Sequence, residues 1–181
     1  MDDRFPDPPI ASVRRRIAAH LVDAAVISVG GTLLMVMAAT FLGPSVAAQA
    51  DSEGAVVLVL DSGGFLARSV ILTAASAAYF TLSWAGGWRA TLGQRILGIS
   101  VVDVEERAGL GLARAGLRWL ALGAPIGMIA AAAIESVALW GLATMTSLVW
   151  TMALLMTTWR SSLSRGLHDR LSESVVVRVR L

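Results

Sequence analysis

The chain has 181 residues, of which 56% are hydrophobic and only 15% are charged. Soluble globular proteins carry about 25% charged residues, so this composition indicates an integral membrane protein with little room for a separate soluble domain. The absence of cysteine excludes disulfides, thiolate metal sites and cysteine nucleophiles. All fifteen basic residues are arginines, and they flank apolar runs, which favours membrane topology over nucleic-acid binding as their purpose.

An N-terminal tail rich in proline and aspartate, residues 1–13, is predicted to be disordered and cytoplasmic. Residues 14–181 are predicted to form a single membrane domain. Arginines are abundant before the first apolar run, between the second and third, and after the fourth, but absent from the other two loops. This distribution predicts a multi-pass protein with both termini in the cytoplasm. The four predicted spans are 17–42, 65–86, 110–134 and 137–158.

The loop between the first two spans contains Val56-Val57-Leu58-Val59-Leu60, which is too short to cross a bilayer. It is consistent with a small strand, an interfacial segment or an early start of the next helix. Ala48-Gln49-Ala50 resembles a signal-peptide cleavage site, but the long first run and its internal aspartate favour a retained span.

Two segments near the predicted membrane surface have regular patterns. Residues 91–98 predict a short amphipathic interfacial helix, with Thr91 as N-cap and Gly98 as its stop. Residues 99–104 and 174–180 are rich in β-branched residues and are expected to pair as two strands. The predicted fold class is therefore all-α transmembrane: a four-helix membrane bundle with a short interfacial helix and a small cytoplasmic two-stranded cap.

The first span carries ionisable residues on one face. Arg16, His20 and Asp23 are spaced i, i+4, i+7, and Asp23 lies about 10 Å beyond Arg16 along a helix. A carboxylate at that depth is costly and normally faces partner groups or water rather than lipid.

Three separated motifs together resemble the RDD family of bacterial membrane proteins, over about residues 14–178. The family is named for an arginine and two aspartates, which the resemblance places at Arg16, Asp23 and Asp169. It implies a location in the bacterial inner membrane and no agreed activity, with cation/proton exchange among the roles considered. The motifs are Arg16-x6-Asp23, TLGQRILGISVVD at 91–103 and GLHDRL at 166–171.

Two interpretations of these charges remain open. In the first, Arg16, Asp23, Asp169 and Arg95 form a buried ionic cluster that joins the first helix to the interfacial helix and the C-terminal tail. In the second, Asp23 is a proton or cation acceptor on a transport path, and His20 relays the proton. The first interpretation predicts a non-enzymatic accessory or assembly subunit, and the second an exchanger or transporter subunit.

A small-residue seam, spaced every four residues on the third span, is suited to close helix contact with a second copy or another membrane protein. Arginines near the same helix could also meet anionic lipid headgroups. Neither a nucleophile elbow nor a metal-ligand pattern occurs in the sequence, so we expect no enzyme activity, cofactor, metal or nucleic-acid partner. The seam residues are Gly123, Gly127 and Ala131.

Overall fold

The computed structural model describes residues 9–43, 46–52, 54–132 and 137–179, with the backbone alone at 42, 47, 60, 62, 124–132 and 137. It is mostly helical, with two small antiparallel sheets. The elements are α1 (Val13–Leu42), β1 (Val46–Ala50), β2 (Val56–Leu60), α2 (Ser62–Ala85), α3 (Leu92–Ile96), β3 (Ile99–Asp103), α4 (Leu112–Ala132), α5 (Val137–Arg160), α6 (Leu167–Leu171) and β4 (Ser174–Arg178).

Three of the helices are long and apolar enough to cross a membrane: α1 over Val13–Phe41, α2 over Gly63–Ala85 and α5 over Ala138–Arg160. Most side chains along them are exposed, as expected of helices that meet lipid rather than a protein core. They agree closely with three of the predicted runs. The remaining run, 110–134, forms α4, which packs against both α2 and α5.

The prediction that 99–104 and 174–180 pair is confirmed, although the strands end at Asp103 and Arg178. They are antiparallel, and Val101 lies opposite Val176. Both valines are buried with Trp84 and Ala115 at the ends of the long helices. The largest described core of the protein therefore lies where this sheet meets the helix ends.

The other sheet resolves the three alternatives for the loop after α1. Residues 56–60 form a strand, paired with 46–50 in an antiparallel hairpin. The apolar side chains described in this hairpin are exposed, Val56 and Leu58 most of all.

The N-terminal segment is ordered closer to its start than the sequence predicts. Ala11 donates its N–H to the Val176 carbonyl at 2.9 Å, and Arg178 donates to the Pro9 carbonyl at 2.8 Å. The predicted disordered tail, 1–13, is therefore wrong for residues 9–11, because their backbone polar groups find partners along β4. Residues 1–8 lie outside the described part of the chain.

The backbone of 76–103 repeats in 151–178. In each segment the end of a long helix leads, with the same spacing, into a five-residue helix and then a five-residue strand. The left-handed φ of Arg89 recurs at Ser164 (52° and 48°), and that of Gly98 recurs at Glu173 (60° and 48°). Such angles are uncommon outside glycine, so their recurrence at matching positions is a specific signature.

The chain is thus built from two similar units. We call α1, α2, α3 and β3 the first unit, and α4, α5, α6 and β4 the second unit. The matching residues Val101 and Val176 face each other across the antiparallel β3–β4 pair, so an approximate two-fold axis passes between them. This axis relates α2 to α5 and α1 to α4.

Candidate functional site

Asp23 lies on α1 with 2% of its surface exposed. Its carboxylate accepts three hydrogen bonds: from the Tyr79 hydroxyl at 2.7 Å, the Thr91 hydroxyl at 2.6 Å and the Gly93 backbone N–H at 2.8 Å. Two of these donors belong to the first turn of α3. Asp23 therefore binds the N-terminal end of α3 from a neighbouring helix, where backbone N–H groups lack intrahelical partners.

The sequence TLGQ prepares α3 for this contact. Thr91 is the N-cap, as predicted, and the Gln94 side chain accepts from the Thr91 N–H at 3.0 Å to complete a capping box. A Cβ at Gly93 would lie only 2.2 Å from the Ala19 carbonyl oxygen and 2.9 Å from the Asp23 carboxylate. Only glycine lets α3 approach α1 this closely.

The predicted ionic partners of Asp23 are wrong. Among the described residues no arginine forms a salt bridge with Asp23, and hydroxyl and backbone donors take the place expected for guanidinium groups. Arg16 lies about 10 Å earlier on α1, and its donors go to the Ala11 and Val176 carbonyls and to Asp169.

Arg95 does not join either acid. Its guanidinium lies 4.2 Å from the centre of the Trp88 ring, in a cation–π contact. His20 is exposed and lines the cavity between the long helices, rather than meeting Asp23. Of the four residues predicted to form one ionic cluster, the structure brings only Arg16 and Asp169 together.

Asp169, on α6, is completely buried. It forms an ion pair with Arg16 at 2.8 Å and another with Arg118, which also contacts the Ser174 hydroxyl. The carboxylate oxygen that binds Arg16, Oδ2, also accepts from the Gly166 N–H at 3.0 Å, which caps α6. One carboxylate thus joins α1, α4 and the α6 turn, which are distant in sequence.

Charge and burial set the protonation states around Asp169. Burial raises the pKa of Asp169, but the positive charges of Arg118 and Arg16 outweigh it and lower this pKa to about 2. Burial lowers the pKa of His168 to about 4, an effect that the two arginines reinforce. At neutral pH the site therefore holds an ionised carboxylate and a neutral imidazole.

Sequence reasoning missed Arg118 as a partner of Asp169, since it was interpreted as one of the anchoring or lipid-facing arginines. Arg114, one helical turn earlier, pairs with Asp103 and with the exposed Glu173. The Glu106 N–H, with other donors that include Arg114, holds the pKa of Asp103 below its usual range. The sequence did contain a signal for these two ion pairs. Arg114 and Arg118 are one turn apart, so they lie on the same face of α4 and can meet neighbouring elements together.

A cavity of about 410 Å³ lies beside the two acids, between the first and second units. A second cavity, of about 860 Å³, runs along α1 and α2 towards Arg68, and His20 and Ser76 line both cavities.

Of the predicted small-residue seam, Gly123 also lines both cavities and faces the Trp119 ring. Gly127 and Ala131 fall where only the backbone is described. Among the described residues, no group of three or more side chains could hold a metal ion.

Long apolar helices together with acids satisfied inside the protein define a membrane protein, with the buried charges facing its interior. The RDD family model matches residues 10–173, which is most of the chain. The chain therefore belongs to the RDD family. The arginine and the two aspartates that the resemblance assigns to the family's name, Arg16, Asp23 and Asp169, all make buried or half-buried contacts between elements. A search of curated proteins finds no match.

Proposed function

We propose that the protein is a four-span subunit of the bacterial inner membrane, with both termini in the cytoplasm and a non-enzymatic accessory or assembly role. The similarity of the two units supports the fourth span, since α4 occupies the place of α1 in the second unit. The arginines support the orientation, because those at the β3–β4 end outnumber those at the hairpin end.

The observation that carries this proposal is that the buried acids Asp23 and Asp169 both accept hydrogen bonds from several elements of the described chain. Asp23 accepts from three donors, and Asp169 from two arginines and a backbone N–H. Protonation of Asp169 would place a proton against guanidinium and backbone N–H groups, which can only donate. Asp169 is thus suited to hold elements together in its charged form, and Asp23 joins α1 to α2 and α3 through its three hydrogen bonds.

Contacts outside the chain are expected through its apolar helix surfaces. Trp140, Leu142, Met145 and Met152 are exposed on α5 and suit either the lipid bilayer or a second membrane helix. We propose a homo-oligomer or a membrane-protein partner at this helix, with the seam that begins at Gly123 available for close packing.

A second function, cation/proton exchange with Asp23 as the acceptor, is favoured by one observation. No guanidinium in the described part of the chain pairs with Asp23, which lines a cavity together with His20 and the hydroxyls of Ser76 and Thr151. Unpaired acids beside cavities are typical of transport pathways.

Flux in liposomes separates the two functions. Purified protein is reconstituted with an internal pH-sensitive dye, cation gradients are imposed, and wild type is compared with Asp23→Asn and with Asp103→Asn as the control for a buried acid outside the spans. The accessory role predicts background flux in all three and a lower unfolding temperature for Asp23→Asn. Flux in wild type and Asp103→Asn that is lost in a folded Asp23→Asn would establish the exchanger instead.

A further inference from the structure

We propose that the cavity between α1 and α5 is a binding site for an uncharged amphiphile with a hydroxyl-bearing head and a single acyl chain. Such binding goes beyond the accessory role proposed above, and it argues against the exchanger, which would need a cation at Asp23 in this same cavity. It rests on the symmetry of the two units, on the charge balance of the cavity and on its lining.

The symmetry predicts a close helix packing that the described residues of α1 and α5 do not form. The two-fold axis relates α2 to α5 and α4 to α1, so the close α2–α4 packing should recur between α5 and α1. Instead, the cavity separates the described facing residues, among them Leu21 on α1 and Leu155 on α5. Both leucines are exposed, so the opening is apolar and faces the bilayer. An acyl chain from the membrane would replace the missing contact.

Charge excludes an ionic ligand. Among the described residues, the formal charges at the cavity are those of Arg16, Arg118 and Asp23, together with Asp169, which binds both arginines. Two positive and two negative charges balance, and the Asp23 and Asp169 carboxylates are already satisfied. A charged head would enter a low-dielectric site with no free counter-charge, whereas a neutral head avoids this desolvation penalty.

The lining gives each part of the ligand a place. The Thr151 hydroxyl has no hydrogen-bond partner within the described chain, and the Ser76 hydroxyl, at the matching position of the first unit, accepts only from Trp119 at 3.3 Å. These hydroxyls suit the head, while Trp84 and Leu154 provide apolar wall for the chain. The volume of about 410 Å³ lies within the usual range of small-molecule sites.

Tryptophan quenching tests the site, because Trp84 and Trp119 line it. Full-length protein in phosphatidylcholine nanodiscs is titrated with three amphiphiles that share one brominated acyl chain: a monoacylglycerol, a fatty-acid anion and an alkyltrimethylammonium. We expect saturable quenching by the monoacylglycerol, at an affinity at least fivefold above that of the two charged compounds. Equal or tighter binding of either charged compound, or no saturable quenching, would overturn the proposal.

Matched variants locate the binding on this cavity. Thr151→Leu should weaken monoacylglycerol binding at least fivefold, whereas Thr146→Leu, exposed on the same helix and outside the cavity lining, should not. If Thr151→Leu does not fold, Leu155→Trp fills the cavity from its rim, with the exposed Leu148→Trp as its control. Identical affinities within the matched pair would overturn the proposal.

Discussion

The backbone N–H of Gly93 donates a 2.8 Å hydrogen bond to the carboxylate of Asp23. This contact joins a short helix between α2 and β3 to the buried face of α1, and it exists because position 93 has no side chain. A membrane acid is therefore stabilised by the free donors of a helix end and by hydroxyls, rather than by an arginine.

Replacing Gly93 by alanine should destabilise the protein by about 1–3 kcal/mol, because the added Cβ would meet the Ala19 carbonyl oxygen and the Asp23 carboxylate. Gly116→Ala is the matched control, since a Cβ there has nothing within 4 Å and alanine favours its helix. Thermal unfolding in detergent measures both. Equal unfolding temperatures for the two variants would contradict the close approach of α3 to α1.

How far the sequence predicted this site depends on the type of partner. The spacing of Arg16, His20 and Asp23 placed an acid inside the first helix, and the TLGQ motif predicted the N-cap at Thr91. The predicted partner of Asp23 was wrong because the residue pattern does not show which backbone N–H groups are free to donate, whereas it does show the arginines. Arg118 was missed for the opposite reason. Many arginines flank the spans, and the sequence does not show which of them pairs with which acid.

Acid should destabilise the protein in two stages. The pKa of His168 is about 4 in the folded chain, below its ordinary value near 6.5. The unfolded chain therefore gains a proton first, and stability falls from about pH 6.5 to 4. Asp169, with a pKa of about 2, adds a further loss from about pH 4 to 2.

Unfolding temperatures measured across this range identify the first stage. His168→Gln should remove most of the decrease in unfolding temperature between pH 6.5 and 4. His20→Gln, at an exposed position, should leave that decrease in place. A decrease in the His168→Gln protein as large as that of wild type would show that another group is responsible.

The two similar units predict the same membrane side for matching loops. Because the chain has no cysteine, single cysteines can be placed at Gly87 and Ser162, at matching positions, and at Ser52 in the hairpin. All three positions are exposed. A membrane-impermeant maleimide applied to intact cells should label Ser52→Cys alone, and lysed cells should label all three. Labelling of only one of Gly87→Cys and Ser162→Cys in intact cells would contradict the topology.

The repeat itself was not predictable from the residues. Trp84 matches Trp159 and Arg95 matches Arg170, but most matching positions differ, as at Gly93 and His168. The backbone is shared because turn geometry and hydrogen bonding tolerate many side chains, and the left-handed positions are held by arginine, serine and glutamate as well as glycine. The pairing of β3 with β4, in contrast, was predicted because β-branched runs have a clear signature.

The central claim is that a buried carboxylate holds distant helices together through arginines, and a double-mutant cycle on Arg118 and Asp169 tests it most directly. Arg118→Gln, Asp169→Asn and the double variant are unfolded in mixed detergent, with Arg114 and Glu173 as an exposed control pair. We predict a coupling free energy of about 3 kcal/mol for the buried pair and below about 1 kcal/mol for the exposed pair. A coupling below about 0.5 kcal/mol between Arg118 and Asp169 would contradict the account.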